Sequence, residues 1–222
     1  MTEREKHLLR SARACGAAGL LALALAASSA PAHEDHAGHK TMVVRGTQGI
    51  DQTEVQLLDL PLIDKEGQPH LFRSEVIGDR IVAVNFIYTS CTTVCPVISA
   101  IFAEVQNRLG ERLGPEVRLV SLSIDPATDA PRRLKSYAEG FGAGPGWTFL
   151  TGDTSRMTKV LAGLGAFTPE FEEHAPMVLV GDAGRNVWRR FYGFASPDDI
   201  VAEIEGLIAW RQDHHNEKEH TQ

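Results

Sequence analysis

Two stretches of this chain, RIVAVNFIY (80–88) and VRLVSLSI (117–124), are apolar and β-branched almost without a break. A strand wetted on one face alternates apolar and polar residues, whereas a strand covered on both faces does not. Both runs therefore read as strands of a sheet with helices packed on it. Between them, PVISAIFAEVQNRL (96–109) repeats Ile98, Ile101, Phe102, Val105 and Leu109 at helical spacing. The alternation continues downstream. A second helix is expected over DAPRRLKSYAEGF (129–141), with Asp129 as its N-cap and Pro131 in its first turn. WTFLTGD (147–153) is short and strand-like, and DTSRMTKVLAGLG (153–165) is a helix ending on glycine. APMVLVGDAGRNVWRRFYGF (175–194) reads as a hairpin turning at Asp182-Ala183-Gly184, and SPDDIVAEIEGLIAW (196–210) as an amphipathic helix capped by Ser196. Upstream, residues 53–72 form a hairpin around Lys65-Glu66-Gly67. The expectation is an α/β fold, a mixed central sheet flanked by helices, with an N-terminal β-hairpin.

The first residues have a different character. Lys6, Arg10 and Arg13 precede a Leu/Ala-rich run, Cys15 to Ala27, and then Ala30-Pro31-Ala32. Residues 1–32 read as a secretory signal peptide cut after Ala32, or as an anchor if uncleaved. Residues 33–50 form a histidine-containing polar tail, residues 51–211 the folded domain, and residues 212–222 a second polar tail. No later stretch is long and apolar enough to cross a bilayer. Export is expected to put the domain outside the cytoplasm, where disulfides persist. Of the three cysteines, Cys91 and Cys95 then remain, too few for a disulfide-stapled scaffold. A formal charge of −7 excludes a nucleic-acid partner, which needs a basic face.

Cys91 and Cys95 fall between the first buried strand and its helix, at the strand end where α/β sheets collect ligands. Pro96 suits a first helical turn, which places the thiols against free N–H groups and the positive end of the helix dipole. That setting favours thiolate, both a nucleophile and a soft-metal ligand. The spacing is C-x-x-x-C, one residue wider than the usual dithiol redox motif, which eases insertion of an atom between the sulfurs. A disulfide remains geometrically open to the pair. Thiolates select Cu(I) or zinc, and an added imidazole makes a set that suits copper in both oxidation states. His70 in the early hairpin and His174 before the last one are the candidates for that third ligand.

NFIYTSCTTVCP, SLSIDPATDAPRRLKSYAEGF, GWTFLTGD and EEHAPMVLVGDAG, in that order, resemble the Sco/SenC family of copper chaperones across about Val55 to Trp210. The resemblance implies a thioredoxin-like fold. It carries metal ligation onto Cys91, Cys95 and His174; Asp125 of the acidic-proline segment is read either as a rim residue orienting a ligand or as a helix-entry turn. It further implies Cu(I)/Cu(II) binding and help in assembling the copper site of cytochrome c oxidase. The partner is then the copper-bearing oxidase subunit or another periplasmic copper protein, and a monomer is expected. One departure is Thr92, where family members often have proline.

Three other functions fit parts of the pattern. A thiol–disulfide oxidoreductase would use Cys91 and Cys95 without metal, for example to reduce the cysteines of a metalloprotein partner. A peroxiredoxin-type peroxidase would account for Thr-x-x-Cys-Pro, but Tyr88 stands where that family has proline. A copper sensor would use the same ligands as a chaperone.

Overall fold

The computed structural model describes residues 50–170 and 174–219, with side chains as far as residue 215. They belong to the unit Val43–Gln222. The signal peptide, nearly all of the first histidine-containing tail and the last three residues lie outside the described residues.

Eight strands form one sheet. They are β1 (Ile50–Thr53), β2 (Pro61–Asp64), β3 (Pro69–Leu71), β4 (Ile81–Ile87), β5 (Val117–Ser123), β6 (Trp147–Thr151), β7 (Met177–Asp182) and β8 (Val187–Tyr192). The spatial order is β1-β8-β7-β4-β5-β6-β2-β3. β4, β5 and β6 run parallel, while β7 pairs with β4, and β2 with β6, antiparallel. The helices are α1 (Val94–Leu109), α2 (Pro131–Gly140), α3 (Thr154–Gly163) and α4 (Pro197–Glu219).

The uninterrupted apolar runs occupy the middle of the sheet, as their composition demands. Every residue of β4 is buried. Ile81, Ala83 and Ile87 face one core layer with α1, α2 and α4, and Val82, Val84 and Phe86 face the other with α3. Each fully buried Val, Ile, Leu or Phe contributes roughly 1.5–3 kcal/mol, so this strand anchors both layers. The edge strands β1 and β3 are exposed or half-buried. The hairpin expected over 53–72 is narrower than its apolar span: pairing is confined to Pro61–Ile63 against Pro69–Leu71.

Local chemistry explains the later elements. Asp153 caps α3 by accepting from Arg156 N at 3.0 Å. Ser196 accepts from Asp199 N at 3.1 Å and donates to Asp199 Oδ2 at 2.6 Å, a reciprocal cap for α4. That helix runs on to Glu219, through much of the segment read as a polar tail. Just before that segment it is pinned by Arg211, whose Nε and Nη2 donate to the fully buried Asp182 at 2.7 and 2.5 Å. In the β7–β8 hairpin the Trp188 indole lies directly over Gly181, where a Cβ would come within 2.3 Å of Trp188 Cε3.

One expectation fails. Asp129 does not cap α2: the N-cap is Ala130, without a side-chain cap bond. The Asp129 carboxylate turns inward instead, because hydroxyl and amide donors from two other segments converge on it.

The registers Ile87↔Ser123, Leu122↔Leu150 and Asn85↔Val178 bring the ends of β4, β5 and β6 and the start of β7 to one rim. The segments carrying Cys91, Asp125 and His174 all meet the sheet there.

Candidate functional site

β4 ends at Ile87, a short turn follows, and α1 begins at Val94, so Cys95 is the second helical residue and Cys91 lies in the turn. The N-cap residue, Thr93, makes no side-chain cap bond. The Cys91 sulfur takes that role: it accepts from Cys95 N at 3.3 Å. Cys91 N in turn donates to Tyr88 O at 3.1 Å, closing the turn. Both cysteines are free thiols, 7% and 4% exposed.

The two thiols differ sharply in acidity. Burial pushes the Cys91 thiol up, but hydrogen bonds from the Cys95 and Thr93 backbone, the Cys95 thiol and the Tyr88 hydroxyl outweigh it and bring it down to about 6. Burial pushes Cys95 up to about 12, reinforced by the neighbouring Cys91 and by the charge of Asp129. At neutral pH the pair therefore shares one proton, held on Cys95, and Cys91 is the thiolate. One turn further along α1, Ser99 hydrogen bonds the Tyr137 hydroxyl of α2 at 2.8 Å and ties the two helices together beneath the site.

His174 is half-buried, three residues before β7. Its ring packs on Phe86, centroids 5.5 Å apart. Phe86 faces the core layer on the other side of the sheet from the cysteines. The imidazole Nε2 is buried and has no hydrogen-bond partner. Burial lowers its pKa, so the ring is neutral at pH 7 and has a nitrogen lone pair to give. Among the described residues, no group of three or more His, Cys, Asp or Glu side chains is arranged to hold a metal ion. The structure thus brings Cys91 and Cys95 together and places His174 at the same rim, against Phe86.

His70, the other histidine considered, is in β3 at the far edge of the sheet, bonded to Asp64 Oδ2 at 3.0 Å. Asp125 is 6% exposed, and its bonds are those of a turn: Oδ1 accepts from Thr128 N at 3.3 Å and its carbonyl from Asp129 N at 2.9 Å. It borders a cavity of about 230 Å³ that also includes Phe167 and Pro169, on the segment leading to His174.

Sequence reasoning missed two residues beside the thiols. Tyr88 reads in the sequence as the end of a strand and as the residue in place of a peroxiredoxin proline, and Asp129 as a cap; neither reading points to the thiols. Asp129 precedes a helix, and that position alone suits a cap. The register that sets Ser123 beside Ile87 is what aims its carboxylate at the cysteine turn.

Comparison with known proteins agrees with this architecture. The model of the SCO1/SenC family matches residues 56–209. The SCO1 protein homolog of Bacillus subtilis is 30% identical over 144 residues, covering 59% of this chain and 72% of that protein. The structure of BsSco, a member of the Sco family of cytochrome c oxidase assembly proteins with an identified disulfide switch, superposes with a TM-score of 0.60. It is 23% identical and covers 70% of this chain and 95% of its own. Bradyrhizobium japonicum ScoI with copper bound gives a TM-score of 0.54 at 22% identity, over 67% of this chain and 98% of its own. At these identities the structures share a fold, the thioredoxin-like one. The family match spans most of the folded domain, and this chain belongs to the SCO1/SenC family.

Proposed function

We propose that this protein is a periplasmic copper chaperone. It holds Cu(I) and Cu(II) through Cys91, Cys95 and His174 and assists assembly of the copper site of cytochrome c oxidase. The observation that carries this reading is the thiol pair itself. Two buried sulfurs lie at the start of one helix, one ionised near neutral pH and one still protonated. A soft cation binds the first and displaces the proton of the second. His174 fits the remaining position by its chemistry, being neutral, buried and unpartnered at Nε2. A buried ring nitrogen without a partner is costly, and metal ligation satisfies it. In this reading the segment before β7 moves the ring from Phe86 to the sulfurs when copper binds. Support also comes from ScoI of Bradyrhizobium japonicum, a structural relative with copper bound.

An anaerobic titration tests it: reduced wild type, Cys91→Ala, Cys95→Ala and His174→Ala compete with a Cu(I) chelator. Wild type is expected to take up one Cu(I) tightly, and either cysteine variant to lose it. Loss of His174 is expected to weaken Cu(II) more than Cu(I), since imidazole matters less to the softer ion. Cysteine variants that bind like wild type would refute the assignment.

The acidity difference between the thiols supports a second reading, reduction of a partner's cysteines. The Cys91 thiolate attacks the partner disulfide and releases one partner thiolate. Cys95, giving up its proton, then attacks the mixed disulfide and releases the other. The partner gains two electrons and this protein keeps the Cys91–Cys95 disulfide. Metal-free turnover that is indifferent to His174→Ala would favour this activity over copper delivery.

A further inference from the structure

The Asp129 carboxylate is fully buried, and all its donors come from other segments. Thr89 supplies two of them, N at 3.0 Å and Oγ1 at 2.6 Å, both to Oδ1. Ser123 Oγ donates to Oδ2 at 2.7 Å. Each hydroxyl is itself fixed from behind. Thr89 Oγ1 accepts from Arg133 Nε at 3.1 Å, and Ser123 Oγ accepts from Asp125 N at 3.2 Å. Every hydrogen of this network is therefore accounted for, as a buried charge requires.

Its place in the chain gives it a consequence. Thr89 is two residues beyond the end of β4 and two before Cys91. α1 fixes the other end of the turn. The thiol-bearing turn is thus gripped on one side by Asp129 and on the other by its helix, and the freedom it would lose on closing around a ligand or a disulfide is already lost on folding.

We propose that Asp129 is a positioning residue for the thiol pair, its carboxylate clamping Thr89 so that the Cys91 sulfur is held beside Cys95 before metal or disulfide forms. This deepens the copper reading above and, for its metal arm, rests on it. The action is geometric. An asparagine at 129 keeps the Thr89 half of it, because the amide oxygen still accepts both Thr89 bonds, but it gives up the acceptor for the Ser123 hydroxyl and the charge near Cys95. An alanine removes the whole clamp.

The test uses the full chain as wild type, Asp129→Asn, Asp129→Ala and Thr89→Ala, each confirmed folded by circular dichroism. Metal-free proteins are equilibrated in glutathione redox buffers, and the reduced proteins are titrated with Cu(I) against a chelator. Asp129→Ala is expected to lower the equilibrium constant for forming the Cys91–Cys95 disulfide about tenfold, a rise of about 30 mV in potential. It is expected to weaken Cu(I) binding by roughly 10- to 100-fold, the usual effect of losing a group that orients metal ligands. Asp129→Asn keeps the Thr89 clamp and is expected to lie between wild type and Asp129→Ala in both, the remaining shift coming from the lost charge near Cys95. Thr89→Ala keeps the carboxylate, loses one clamp bond and shifts both readouts in the direction of Asp129→Ala, so it carries the test if Asp129→Ala does not fold. The clamp is overturned if the alanine variants match wild type, or if Asp129→Asn is as impaired as Asp129→Ala. Should wild type fail to bind Cu(I) while the redox shift appears, the copper reading falls and the clamp stands.

Discussion

Cys91 and Cys95 belong to one motif and have opposite acidities because α1 treats them differently. Cys91 collects the N–H groups that the first helical turn leaves free, and Cys95 is buried with few compensating donors. Alkylation of the reduced, metal-free protein is therefore expected at Cys91 first, with a rate that falls as pH drops through about 6. Cys95 is expected to stay unmodified across the same range, since its thiol lies at about 12. The same asymmetry acts on stability. The folded Cys91 thiol is a stronger acid than the unfolded one, at about 6 against 9.0, so its contribution is complete above pH 9 and disappears as pH falls through 6. Urea unfolding of wild type and Cys91→Ser is expected to differ more at pH 9 than at pH 5. Much of this was legible in the chain, because a proline directly after the second cysteine marks a helix start. His174 was legible as a candidate through its position before an apolar strand. Its packing on Phe86 was not, because sequence records no contact between residues so far apart.

At the level of elements, continuous apolar runs were the strongest guide. β4 and β5 lie where their composition puts them, and Ser196 and the glycine after α3 mark real boundaries. The reading failed where two explanations share a spelling. An aspartate before Pro131 suits a cap, and only the pairing of β4 with β5 reveals the donors that draw it inward. Likewise residues 212–222 resemble a polar tail, yet the helix runs on through them to Glu219, and Arg211 just before them reaches back to a buried carboxylate and holds the helix on the sheet. Removing that arginine leaves Asp182 buried with only weaker partners. Arg211→Ala is expected to cost about 3 kcal/mol in urea unfolding, and the double variant with Asp182→Asn less than the sum of the two singles. Gly181→Ala is expected to destabilise by roughly 1–3 kcal/mol, since the Trp188 indole must move off its strand. Gly181→Ala with Trp188→Leu is expected to recover part of that loss.

The molecule as a whole offers two stiff core layers and a rim where the strand ends β4, β5 and β6 meet the entry to β7. Ligands that bind only the folded state stabilise it in proportion to occupancy. At free Cu(I) a hundredfold above its dissociation constant, the gain is about 2.7 kcal/mol, or roughly 5–10 °C in Tm for a domain of this size. Thermal unfolding is expected to show that rise in wild type and not in Cys91→Ala or Cys95→Ala. The central claim is that two sulfurs and one imidazole nitrogen meet at this rim around one copper ion. X-ray absorption of the Cu(I)- and Cu(II)-loaded protein reads that set directly. The account predicts two sulfur scatterers and one imidazole nitrogen, the nitrogen signal vanishing in His174→Ala. A spectrum without sulfur, or an imidazole signal that survives His174→Ala, would contradict it.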